Sequence, residues 1–106
     1  MAIVESKHQE ISAGLIRLHI LHHAAEGPVF GQWMIDELGR HGYRLSAGTL
    51  YPILHGMERQ GYVRSHLTLK GGRNRRIYRV TPVGRKALVT ARRRVQELFG
   101  EMFEHD

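Results

Sequence analysis

The stretch from Ser46 to Pro82, SAGTLYPILHGMERQGYVRSHLTLKGGRNRRIYRVTP, changes its hydrophobic period twice, and those changes define the fold. From Ser46 to Gln60 the apolar residues Leu50, Ile53, Leu54 and Met57 recur at helical spacing. Ser46 is a good N-cap type, because its hydroxyl can accept from the free amides of a first helical turn. Pro52 conflicts with this reading. It cannot donate to the carbonyl of Gly48, so the helix is expected to start late, near Gly48, or to have distorted first turns. Gly61 closes it. Tyr62 to Leu69 then alternates apolar and polar residues like a half-buried strand, Lys70 to Asn74 reads as a turn, and Arg76 to Val80 alternates again on the way back. Thr81-Pro82 is an N-cap followed by a proline at the first helical position, which opens another helix.

Two helices precede this stretch. Residues 9–25 carry Ile11, Leu15, Leu18 and Leu21 at helical spacing, and Gly27-Pro28 ends the run. Residues 31–41 repeat the pattern with Met34, Ile35 and Leu38, and Gly42 stands where a C-terminal cap belongs. Downstream, Leu88, Ala91, Val95, Leu98 and Met102 are spaced three, four, three and four, a heptad seam flanked by Val83, Ala87, Phe99 and Phe103. The expected fold is mainly α with a small β-hairpin: a winged helix-turn-helix over residues 1–81, then a long C-terminal dimerisation helix over 82–106, forming one compact unit.

With 106 residues, 42% hydrophobic and 25% charged, the chain has the composition of one ordinary globular domain. It has no apolar run long enough to span a membrane, and its first residues lack the apolar core of a secretory signal, so a cytoplasmic protein is expected. Cysteine is absent, which removes disulfides, thiol nucleophiles and cysteine-ligated zinc. No paired carboxylates or phosphate-cradling glycine loop suggest an enzyme, and no cofactor is expected. The net charge of +6 is unevenly placed. Arg59 to Arg94 holds twelve basic and no acidic residues, while the rest of the chain holds four basic and ten acidic ones. Such a block is the electrostatic footprint of a nucleic-acid binder.

The helix after Ser46 is therefore the candidate recognition helix for double-stranded DNA. Ser46, Gly48, Thr49, Tyr51 and His55 are expected on its outward side, where small residues allow close approach and polar ones meet phosphates or base edges. Lys70, Arg73, Arg75 and Arg76 put cations on a glycine-containing hairpin suited to a phosphate backbone or a narrow minor groove. The seam Leu88, Ala91, Val95, Leu98 and Met102, with Phe99, is too apolar to face water. It is expected to form a homodimer interface with Ile11, Leu15 and Leu18 of the first helix. Two copies related by a two-fold axis would read a pseudo-palindromic operator. His19 and His23 lie one helical turn apart, with His22 beside them. Ile20 stands where the metalloprotease signature needs its glutamate, so hydrolysis is excluded, and a metal needs a third ligand that the sequence does not fix.

The run Gly48-Thr49-Leu50-Tyr51-Pro52, the segment Arg75-Arg76-x-Tyr78-x-x-Thr81 and Gly84 together resemble the PadR-type transcriptional regulators. The resemblance covers roughly residues 11 to 103. It implies a winged-helix homodimer of the short branch, with a single C-terminal dimerisation helix, that represses transcription and is relieved by a small effector. A metal-responsive version of the same scaffold, using histidines of the first helix, is the alternative. Two features depart from the family pattern. Gly31 is followed by Gln32 and Trp33 instead of tyrosine, and the last helix offers Phe99 and Phe103 but no tryptophan for sandwiching a flat ligand.

Overall fold

A computed structural model describes residues 9–104, apart from the side chain of Lys70. The elements in chain order are α1 (Gln9–Glu26), β1 (Val29–Phe30), α2 (Gly31–Arg40), α3 (Ala47–Arg59), β2 (Val63–Lys70), β3 (Arg73–Val80) and α4 (Pro82–Phe103). The three strands form one antiparallel sheet in the order β1-β3-β2. No helix among the described residues is long and apolar enough to cross a membrane.

The core lies where α1, α2 and α3 converge on the base of the hairpin. Ile16, Ile20 and Ala24 of α1 meet Met34 and Leu38 of α2, Leu50, Leu54 and Met57 of α3, and Val63 and Tyr78 of the sheet. Full burial of one such aliphatic side chain contributes about 1.5–3 kcal/mol. The stripes expected on α2 and α3 are the buried ones, with Ile35 and Ile53 at their half-buried margins. Of the residues spaced along α1, Leu21 is buried, Leu18 is half-buried, and Ile11 and Leu15, assigned to the dimer interface, are exposed, while Ile16 and Ile20 on the neighbouring face fill the core. Apolar residues occur on several faces of α1, so their spacing alone does not select the inward one.

Left-handed glycines stop two helices. Gly42 (φ 92°) follows α2, where the amide of Tyr43 donates to the carbonyl of Leu38 at 2.9 Å. Gly61 (φ 86°) follows α3, where Tyr62 N–H donates to Met57 O at 2.9 Å. Both are αL caps that satisfy carbonyls a helix end would otherwise leave free. At the start of α4, the Thr81 hydroxyl accepts from Gly84 N–H at 2.9 Å and donates to the carbonyl of Gly61, with Pro82 at the first helical position.

Three local expectations change. Ser46 occupies the N-cap position of α3 but makes no side-chain cap; its Oγ lies 3.3 Å from Thr49 Oγ1 instead. Helix α3 begins at Ala47 and runs through Pro52 without a break. The hairpin turn contains only Gly71 and Gly72, with φ of 61° and 76°. Two consecutive positive-φ residues suit the tight turn whose twist matches paired strands. The ladder therefore runs out to Lys70 opposite Arg73, and Arg73 and Asn74 belong to β3.

Candidate nucleic-acid interface

The N-terminal end of α3 presents a low, open surface. Ser46, Ala47 and Gly48 are exposed, Thr49 is half-exposed, and His55 is exposed one turn after Tyr51. Tyr51 departs from the expectation. Its ring packs against the core, and its hydroxyl lies over Gly31, where a β-carbon would overlap it. The glycine at the start of α2 thus provides the space that draws Tyr51 inward, and the tyrosine serves chiefly as a brace between α2 and α3.

Strand alternation sorts the wing into two faces. Arg64, His66 and Thr68 of β2 stand opposite Arg79, Ile77 and Arg75 of β3, and Arg73 extends the same row towards the tip. This face carries arginines at 64, 73, 75 and 79, all exposed. Arg64 and Arg79 are direct cross-strand partners, an arrangement of like charges that costs stability unless something anionic answers it. Sequence reading singled out the tip cations and passed over this pair at the base. Arg75 also lies over the Phe30 ring, 5.3 Å from its centroid, which ties the wing to β1. The backbone of Lys70 ends β2 at the turn, and its side chain lies outside the described part of the structure.

Arg76 sits on the opposite face. It donates to Ser65 Oγ at 3.1 Å. Ser65 in turn gives its amide to Glu58 Oε2 at 2.9 Å and its hydroxyl to Oε1 at 2.8 Å. Glu58 is in the last turn of α3, so this chain of donors clamps α3 to both strands of the hairpin. The Ser65 amide first, then the Ser65 hydroxyl, Arg76 and His55, hold the Glu58 carboxyl below its ordinary value against the opposing effect of burial. A group depressed in this way stabilises the fold above its unfolded pKa and loses that contribution as pH falls through the folded value. Glu58→Gln should lower stability at neutral pH by roughly 1 kcal/mol. Denaturant midpoints should show that deficit shrinking as the pH falls from the ordinary glutamate range towards the depressed value; an equal deficit at pH 7 and pH 3 would remove the charge from the clamp.

The residues assigned to a dimer interface divide. Leu88 is buried in its own chain, and Ala91 is half-buried. Val95, Leu98, Phe99 and Met102 are 47–62% exposed and continue the α4 face outward, and Ile11 and Leu15 of α1 are also uncovered. Between the helices, an open groove of about 590 Å³ is lined by Leu15, Leu18, His19, Leu88, Val95 and Phe99.

The histidines also divide. His19 and His23 meet His41, which follows α2, and one nitrogen from each of the three lies within 4.8 Å of the others. His22 turns instead to Glu26 at 3.4 Å. Sequence reading missed His41 and Glu37, because only the packing of α1 on α2 brings them to the pair.

Residues 20–90 match the family model described as the transcriptional regulator PadR-like family. The transcriptional regulator Rv3488 of Mycobacterium tuberculosis (strain ATCC 25618 / H37Rv) is 51% identical over 94 residues, spanning 89% of this chain and 88% of that protein. A PadR family transcriptional regulator from Eggerthella lenta DSM 2243 superposes with a TM-score of 0.76 at 28% identity, covering 95% of this chain and 92% of that one. The structure of Bacillus subtilis PadR in complex with operator DNA shares the fold at a TM-score of 0.63 and 21% identity, over 72% of this chain and 45% of that one.

Proposed function

Because this chain belongs to the PadR-like family of transcriptional regulators, we propose that it is a cytoplasmic homodimeric repressor that binds a pseudo-palindromic operator and is released by a small effector. The observation that carries this reading is the clamp from Glu58 through Ser65 to Arg76. It fixes an open helix end and a four-arginine wing face as one rigid unit, which suits docking of α3 in the major groove while the wing lies on the flanking backbone. Ser46, Gly48, Thr49 and His55 supply the groove-facing contacts, and Arg73 and Arg75 supply phosphate contacts near the tip. Arg76 acts mainly by holding the wing in place. The uncovered faces of α1 and α4 meet their two-fold mates, and this brings two recognition helices to one side of the duplex about one helical turn apart.

Phosphate neutralisation has a direct signature. Replacing Arg73 and Arg75 with alanine should weaken binding to all sequences alike. It should also flatten the log–log salt dependence by about 0.9 for each phosphate left without its arginine. Mobility shifts across a salt series, on DNA upstream of the protein's own gene and on random duplex, read both effects. An unchanged slope would take the wing tip out of the interface, and no preference for any upstream duplex over random DNA would overturn the operator reading.

A further inference from the structure

We infer that His19, His23, His41 and Glu37 form a binding site for a borderline divalent transition-metal ion, with zinc the best match to three imidazoles and one carboxylate. At the α1–α2 junction, Glu37 Oε2 lies 3.1 Å from His41 Nε2 and 3.5 Å from His23 Nε2. Adjacent ligands of a tetrahedral zinc ion, each about 2.0–2.1 Å from the metal, are separated by about 3.3 Å. Glu37 Oε2 is therefore already at ligand-to-ligand spacing from each of these two imidazoles.

His19 supplies the third nitrogen. It lies one turn before His23 on α1, within 4.8 Å of both other imidazoles, and its ring is 4.8 Å from that of His41 between centroids. Closing this gap by up to about 1.5 Å is a side-chain rotation, since tetrahedral zinc needs about 3.3 Å between ligands. His23 further resembles a metal ligand with outer support: its Nε2 faces Glu37, and its Nδ1 faces Glu26 Oε1 at 3.7 Å. Three nitrogens and an oxygen suit zinc, cobalt or nickel better than magnesium or calcium, which prefer all-oxygen shells.

The site has a structural logic. His19 and His23 come from α1, while Glu37 and His41 come from α2 and its cap. A bound ion would fasten the helix that lines the α1–α4 groove to the helix that supports α3. Metal binding here is separable from DNA binding, because it can be read on the protein alone.

The test titrates the full chain with Zn²⁺ by calorimetry, and with Co²⁺ followed by its visible d–d bands. One ion per chain and a tetrahedral cobalt spectrum are expected. His41→Ala removes an exposed side chain at a helix cap and should leave the metal-free melting temperature unchanged while weakening Zn²⁺ binding at least tenfold. His19→Ala should weaken it similarly. His55→Ala and His66→Ala, exposed histidines elsewhere, should have no effect, and neither should His22→Ala. Zn²⁺ should raise the melting temperature of the wild-type chain and not of His41→Ala. Absence of saturable binding would overturn the site, as would equal losses in His55→Ala. Loss in His22→Ala with retention in His41→Ala would overturn it too, by moving the ion to the His22–His23–Glu26 group.

Discussion

Gly84→Ala should destabilise the fold by roughly 3 kcal/mol, although alanine is the better helix former by about 1 kcal/mol in a helix interior. The sign is set by what Gly84 touches. Its backbone presses the first turn of α4 against the chain leaving α3, and a β-carbon there would overlap the carbonyl oxygen of Tyr62. That carbonyl is not free to retreat, because it accepts the Thr81 amide at 3.1 Å and lies at 3.2 Å from the Thr81 hydroxyl. The helix must tilt away or the strand entry must shift, and either movement disturbs Val63 and Leu88 in the core. Gly100 in the same helix is the internal control. A β-carbon there meets nothing closer than 3.7 Å, so Gly100→Ala should be neutral or stabilising by up to about 1 kcal/mol. Chemical denaturation of the two variants beside the wild type measures the contrast, and equal midpoints for both would show that the α4 junction is not tightly packed.

Leu98→Asp should abolish the dimer and operator binding together while sparing the fold of each subunit. Leu98 is 53% exposed within its own chain, so a carboxylate there can stay hydrated in the monomer. In a dimer that covers Val95, Leu98, Phe99 and Met102, the same carboxylate would be desolvated without a partner, at a cost of roughly 3–5 kcal/mol. Two-fold symmetry brings the mate's identical charge to the same surface and adds repulsion. The monomer retains one recognition helix and one wing, enough for weak, salt-sensitive binding but not for reading two half-sites. Sedimentation and mobility shift of one preparation provide the check: an intact dimer with wild-type operator affinity would show that this face of α4 is not the interface.

The architecture was legible where period and punctuation agreed. The stripe Leu50, Leu54 and Met57, the hairpin, Gly42, Gly61 and the Thr81-Pro82 start all rest on local backbone physics, which a sequence exposes directly. The pairing of Val29–Phe30 with Tyr78 and Ile77 was not legible, because two residues after Gly27-Pro28 carry no periodicity. On α1 the spaced set included Leu21 of the core but not Ile16 and Ile20, because apolar residues surround the helix. At the candidate interface, the outward placement of Ser46, Gly48 and His55 followed from the helical stripe, whereas the inward turn of Tyr51 depends on the missing side chain of Gly31, which belongs to another element. The Glu58 clamp and the arrival of Glu37 and His41 beside His23 depend likewise on tertiary packing, which places polar groups from separate elements within hydrogen-bond reach.

The three-stranded sheet stops abruptly on both sides. β1 covers β3 only at Ile77 and Tyr78, so the outer edge from Arg73 to Arg76 has no neighbouring strand among the described residues, and neither does the far edge of β2. Leu67 and Leu69 on the wing are 58% and 71% exposed beside these open ladders. A partly apolar hairpin with unpaired amides and carbonyls is a template on which another molecule can add a strand, and cationic side chains along it are a natural deterrent. The exposed arginines line this wing with like charges, so two copies brought edge to edge would repel one another. A wing neutralised at these arginines would therefore be expected to become adhesive towards its own kind, whatever the change did to nucleic-acid binding.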